Sequence, residues 1–260
     1  MRKLPILLYF HGGGFITGST MNPADHEFYC KLALRAQVLI VSIDYRLAPE
    51  HPLPAAYQDC FEALTWLNEQ AKLAGSDSAP MSPDQWLARH GDFSRCFLGG
   101  DSAGANILHH VVMKAVLGLG FEEEVEEEEE RLELGLGLRG LIYIHPFFTC
   151  REGEGPLGSE LERKIWELSG ARDGGRFQNP LVGGGLGLLE RAELPPSLVA
   201  VAGKDPTAAR GSSYHKALCD AGKPCKLLLS PGEDHVFHLY SPGSENFGPF
   251  IDELSGFLNS

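Results

Sequence analysis

Along the chain, runs that are apolar at nearly every position alternate with segments whose apolar residues recur every three or four places. The runs are Pro5 to Phe10, Val38 to Ile43, Arg95 to Gly99, Gly140 to His145, Ser197 to Ala202 and Cys225 to Leu229. Continuous rather than alternating hydrophobicity at strand length predicts strands covered on both faces. The intervening segments predict helices over Asp25 to Ala36, Ala55 to Ala71, Ala103 to Leu119, Ser212 to Ala221 and Ser244 to Leu258. In the second of these, Tyr57, Phe61, Leu64 and Leu67 form one apolar stripe. Strand and helix in alternation predict a mostly parallel, doubly wound sheet flanked by helices, with ligands bound beyond the carboxyl ends of the strands.

Several stretches break this rhythm. Phe147 to Pro195 combines one helical segment, Glu160 to Leu168, with glycine-rich sequence such as Val182-Gly183-Gly184-Gly185. An irregular insertion at the carboxyl end of a strand is where an α/β protein builds a small cap or pocket wall, so 147–195 is expected to be one. Ser76 to Asp92, rich in Pro, Ser and Asp, reads as a loop with Trp86 packed beneath it. Residues 121–138 read as an acidic low-complexity loop. Asp44 to Pro52 reads as a structural corner held by Arg46 with Asp44 or Glu50.

A chain of 260 residues, 43% hydrophobic, buries a core large enough for one domain over 1–260. Its net charge is −13, but eight of its 35 acidic residues lie between Glu122 and Glu130, which leaves about −5 for the rest. With no basic stripe and no apolar run near ~18 residues, nucleic acid and membrane-spanning roles are not expected. The six cysteines lack metal-ligand or C-x-x-C spacing and read as buried thiols of a reducing compartment; no metal or cofactor is expected. The start, Met1-Arg2-Lys3 followed directly by a strand, lacks the long apolar region of a secretory signal, so the expected location is the cytoplasm and the expected partner a small molecule.

The chemistry centres on Gly100-Asp101-Ser102-Ala103-Gly104, between the third apolar run and a helix. A strand turning sharply into a helix holds the serine oxygen out at the strand's carboxyl end, beside unpaired helix N–H groups. His11-Gly12-Gly13-Gly14-Phe15 ends the first strand, and its glycines free backbone N–H groups to converge on an anionic oxygen. Asp205 follows the fifth strand and His235 the sixth. Ser102, Asp205 and His235 thus fall on one sheet edge, as nucleophile, acid and base. Gly13, Gly14 and Ala103 are the expected oxyanion donors. His109, His110 and His145 read as packing or surface residues, His238 as a competitor for the base, Asp101 as a brace of the elbow, and Asp234 as pointing away from His235.

Together with Asp44 to Pro54, Asp92 to Asn106 and Glu233-Asp234-His235-Val236-Phe237-His238, these motifs make the chain resemble the plant carboxylesterases of the hormone-sensitive-lipase-like α/β-hydrolase family. The resemblance spans nearly the whole chain. It implies the α/β-hydrolase fold and hydrolysis of a small-molecule ester through an acyl-enzyme, with Ser102, Asp205 and His235 as the triad. Where that family commonly has Leu-Arg-Asp after Asp-Pro, this chain has Thr207-Ala208-Ala209, which is expected to weaken local salt bridging without touching the acid. Receptors similar to the gibberellin receptors lack the histidine that His235 supplies, and dehydratases similar to the isoflavanone dehydratases carry threonine where Ser102 stands. The residues therefore favour the esterase over receptor and dehydratase. Members of the resembled family also carry some tens of residues before the strand that here starts at Pro5, and a version extended upstream is expected to be more stable and more active.

Overall fold

A computed structural model of the chain describes residues 2–75, 84–121, 130–149 and 159–260. The first strand, β1 (Leu4–Phe10), leads through a glycine loop to α1 (Pro23–Ala36) and then to β2 (Leu39–Ile43). Asn22 starts α1 by accepting the Ala24 N–H at 3.1 Å, with Pro23 in the first turn, where a missing N–H costs nothing. Helices α2 (Ala55–Ala74) and α3 (Gln85–His90) precede the long strand β3 (Gly91–Asp101). Next come α4 (Ala103–Leu117), β4 (Leu138–Ile144), α5 (Glu160–Ser169) and α6 (Gly185–Arg191). The chain closes with β5 (Ser197–Ala202), α7 (Ala208–Asp220), β6 (Cys225–Ser230), the single turn α8 (Phe237–Tyr240) and α9 (Phe247–Leu258).

The six strands form one parallel sheet in the order β2-β1-β3-β4-β5-β6. Its two faces carry separate cores. On one side Ile6, Leu8 and Phe10 pack with residues of α2, α4 and α7, and on the other Leu7 and Tyr9 pack with α1 and α9. Successive side chains of a strand point to opposite faces, so burial on both sides requires the unbroken apolar run seen in β1. Each such side chain contributes roughly 1.5–3 kcal/mol relative to exposure.

The two edge strands depart from that pattern. Val38 to Ile43 reads as a fully buried strand, yet all five residues of β2 are only half-buried, because among the described residues β2 pairs with β1 alone. In β6, Leu227 and Leu229 are exposed.

Other differences have local causes. The expected loop 76–92 contains α3, started by Asp84, whose carboxylate accepts the Leu87 N–H at 2.6 Å, and Trp86 is 62% exposed rather than packed beneath. Arg46 pairs bidentately with Asp59 of α2, while Asp44 accepts both the backbone N–H (2.7 Å) and the hydroxyl (2.8 Å) of Thr20. Of the cysteines expected to be buried, Cys60 and Cys96 are, Cys225 is half-buried, and Cys30 and Cys219 are exposed. Cys150, most of the acidic run Glu122 to Glu130 and part of the 147–195 insertion lie outside the described residues.

Candidate active site

The elbow is set by backbone that only close packing can hold. Ser102 sits at φ 52°, ψ −117°, between the last residue of β3 and the first of α4. That left-handed conformation is strained for a residue with a Cβ, and such strain persists only where the surroundings enforce it. Here the Ser102 N–H donates to the Ile144 carbonyl at 2.9 Å, and its own carbonyl accepts from Phe147 at 3.0 Å, tying the elbow to the end of β4. Glycine at 104 lets the new helix touch β1, since a Cβ there would lie 1.9 Å from the Phe10 carbonyl oxygen.

Ser102 Oγ lies 2.8 Å from His235 Nε2, and His235 Nδ1 lies 2.7 Å from Asp205 Oδ2. Three strand ends, those of β3, β5 and β6, thus deliver one hydrogen-bonded line from hydroxyl to imidazole to carboxylate. An ionised Asp205 fixes the tautomer, with the proton on Nδ1 and the lone pair of Nε2 facing the serine. Burial pushes the Asp205 carboxyl up, but the hydrogen bond and charge of His235 and two bonds from Thr207 outweigh it and hold the group below its ordinary value.

Those two bonds run against the expectation that Thr207-Ala208-Ala209 leaves the acid untouched. Thr207 donates both its N–H and its hydroxyl to Asp205 Oδ1, each at 2.7 Å. The replacement of Leu-Arg-Asp by Thr207-Ala208-Ala209 therefore does touch the carboxylate. The Asp-x-Thr spacing, which favours local side-chain turns, is the signal that carried this contact.

His145 is a second contributor beyond the sequence reading. It is buried at the end of β4 with φ 45°, and its Nδ1 accepts the Val236 N–H at 2.9 Å, so it anchors the residue after His235. Burial lowers its imidazole to about 3, which keeps that nitrogen an acceptor at neutral pH. His238 is fully buried against Phe28, Phe250 and His145 and makes no hydrogen bond to any described residue. Asp234 is exposed.

Asp101, before the serine, is buried and accepts the Tyr9 hydroxyl at 3.0 Å. Burial first, and then the nearby charge of Asp25, push its carboxyl up to about 7. His109 donates to or accepts from the Tyr214 hydroxyl at 2.8 Å. Although neighbours on a helix face different directions, His109 and His110 both line one separate cavity of about 480 Å³ with Arg172 and Arg176. That cavity contains neither Ser102 nor His235.

Between the first strand and α1, the glycine loop closes over the elbow. Gly13 takes φ 110° and Gly14 φ 61°, and a Cβ on Gly13 would lie 2.0 Å from the Thr17 carbonyl oxygen. The Gly13 carbonyl accepts from Ile16 and Thr17, whereas the N–H groups of Gly13, Gly14 and Ala103 donate to no described residue. Tyr45 holds the loop from behind through its hydroxyl bond to the His11 carbonyl at 2.8 Å. A cavity of about 550 Å³ opens here, lined by Gly12, Gly13 and Gly14, Ser102 and His235, and by Leu161, Glu162 and Ile165 of α5. His145, Asp205 and His235 form the one cluster of metal-ligand spacing among the described residues, and two of its members are already joined by the 2.7 Å bond.

The family described as alpha/beta hydrolase fold matches residues 7–239. The chain is 37% identical to tuliposide A-converting enzyme 2, chloroplastic, of Tulipa gesneriana over 99% of its own length and 63% of that protein. It thus spans less than two thirds of that relative. It is 36% identical to 2-hydroxyisoflavanone dehydratase of Glycyrrhiza echinata, over 98% of this chain and 76% of the other. Probable carboxylesterase 13 of Arabidopsis thaliana is 34% identical, over 98% of this chain and 77% of that protein. No described helix is long and apolar enough to cross a membrane.

Proposed function

Because the chain belongs to the α/β-hydrolase fold family, with plant carboxylesterases among its relatives, we propose that it is a serine carboxylesterase acting on small carboxylic esters through an acyl-enzyme. The observation that carries this reading is the continuous line Ser102 Oγ, His235 Nε2, His235 Nδ1, Asp205 Oδ2, with both hydrogen bonds under 3 Å: 2.8 and 2.7 Å. A serine hydroxyl is a weak nucleophile until a base takes its proton. His235 does so as Ser102 Oγ attacks the ester carbonyl, and Asp205 stabilises the imidazolium that forms. The carbonyl oxygen becomes an oxyanion facing the N–H groups of Gly13, Gly14 and Ala103, whose donors are not engaged elsewhere in the described structure.

Collapse of the tetrahedral intermediate breaks the bond to the alcohol, which leaves with the proton from His235 Nε2. Water then enters, His235 takes its proton, and attack on the acyl carbon frees the acid and restores Ser102. Residues 147–195 serve as the cap in this reading, since α5 supplies Leu161, Glu162 and Ile165 to the cavity wall. The relative named a dehydratase keeps a second chemistry in view, in which a base matters more than a nucleophile. The hydrogen bond between Ser102 and His235 favours the esterase.

An assay with p-nitrophenyl esters of graded acyl length tests the proposal. The expected result is turnover of short acyl chains that Ser102→Ala lowers by several orders of magnitude. Turnover that is undiminished in Ser102→Ala, or absent with every ester, would overturn it.

A further inference from the structure

Four carboxyl groups line the cavity that holds Ser102, and three of them have partners. Asp205 is bonded to His235 and Thr207, Asp101 to Tyr9, and Glu162 to Arg210 at 2.9 Å. The fourth, Asp25, is only 4% exposed, and no hydrogen bond or ion pair from another described residue reaches its carboxyl. As the third residue of α1 it gains from the helix dipole, which explains why an acid is tolerated in that turn. A first-turn acid gains as much when it faces water, so the dipole does not explain its burial in the cavity wall. Desolvation pushes this carboxyl up to about 6, which leaves it largely ionised at neutral pH. No Lys or Arg is among the described residues lining the cavity, whose other walls include Phe147, Leu161, Ile165 and Leu239.

A buried carboxylate whose one donor is its own backbone N–H is costly unless a ligand supplies another. We propose that Asp25 is a specificity-determining residue, which favours esters carrying a second hydrogen-bond donor, a hydroxyl or an ammonium, and turns away esters carrying a carboxylate. The apolar walls take the carbon skeleton, and Asp25 takes the donor. An anionic substrate meets like charge there and finds no cation to offset it. This rests on the esterase reading and names the substrate class of that same site.

The test is a matched set of esters of one length, ending in methyl, hydroxyl, ammonium or carboxylate, prepared once with the group on the acyl part and once on the alcohol. The ratio of kcat/KM to that of the methyl ester is read within each protein, so a loss of folded enzyme does not enter. Wild type is expected to favour the hydroxyl or the ammonium by about tenfold, and to disfavour the carboxylate by a similar factor, in one of the two series. Asp25→Asn retains an acceptor but no charge. It is expected to keep the hydroxyl preference while losing the ammonium preference and the rejection of carboxylate. Asp25→Leu is expected to bring hydroxyl and ammonium esters to or below the methyl ester. The matching ketones, scored by their shift of the thermal midpoint, give the same order without turnover. Ketone selectivity that Asp25→Leu abolishes, with no ester hydrolysed, would overturn the esterase reading and sustain the role of Asp25. Ratios near unity in wild type, or wild-type ratios retained in Asp25→Leu, would overturn the role of Asp25.

Discussion

Replacing Thr207 by Val removes one hydroxyl and keeps the shape, so it isolates a single bond to Asp205. The Thr207 hydroxyl donates to Asp205 Oδ1 at 2.7 Å, and the backbone N–H, which the substitution leaves in place, donates to the same oxygen at 2.7 Å. Both residues are about 5% exposed, so solvent screens the bond little. A hydrogen bond to a charged group contributes roughly 1.5–3 kcal/mol. If the whole of that energy serves to hold the carboxylate against the forming imidazolium, kcat/KM falls by about 10- to 150-fold. The Asp205 carboxyl lies below its ordinary value in the fold, so its stabilising contribution is present above the unfolded pKa and is lost as pH falls through the folded one. Thr207→Val should therefore be destabilised at neutral pH by up to ~3 kcal/mol, and the deficit should shrink in strong acid. Thr207→Ser retains the donor and should stay close to wild type. The assays are kcat/KM on a short-chain ester and urea denaturation at two pH values. Wild-type turnover and stability in Thr207→Val would refute the claim that this side chain braces the acid.

Three further outcomes follow from the geometry. His235→Ala should lower kcat/KM by about 10⁴ or more, whereas His238→Phe, which preserves packing against Phe28 and Phe250, should retain most activity; equal losses would mean that the base is misassigned. Gly13→Ala places a Cβ against the Thr17 carbonyl oxygen and should cost about 10²–10³ in kcat by displacing an oxyanion donor, while unchanged kcat would remove that N–H from the mechanism. Because the Asp101 carboxyl is raised to about 7 in the fold, it favours the folded state at low pH and that contribution fades as pH rises to about 7. Asp101→Asn should therefore lose less stability than wild type between mildly acidic and neutral pH, and parallel pH profiles of unfolding would contradict this.

The parts of this site that could be read from the sequence are those fixed by continuous pattern. The apolar run before Ser102 and the helical spacing after it define a strand-to-helix turn, and the strand ends before Asp205 and His235 place both at the same sheet edge. Features that depend on which side chain meets which were out of reach. Arg46 takes Asp59, thirteen residues on along α2, rather than the nearer Asp44 or Glu50. Thr207 reaches Asp205 only because the turn after β5 folds its N–H and hydroxyl back onto one oxygen. The half-burial of β2 was hidden for another reason: composition reports what a strand can bury, and edge position decides what it does bury. Asp25 gave no signal of its own, because an acid in a helix's first turn is the ordinary case.

The central claim is that Ser102 is the atom that attacks, and covalent labelling tests it most directly. An alkyl phosphonate ester stands in for the carboxylic ester, and its phosphorus is trapped by an activated serine as a stable mimic of the tetrahedral intermediate. Intact-mass analysis followed by peptide mapping should show a single adduct on Ser102. Ser102→Ala should take up none, and His235→Ala should label far more slowly. Labelling elsewhere on the chain, or an unlabelled Ser102 in a protein that still hydrolyses esters, would contradict the account.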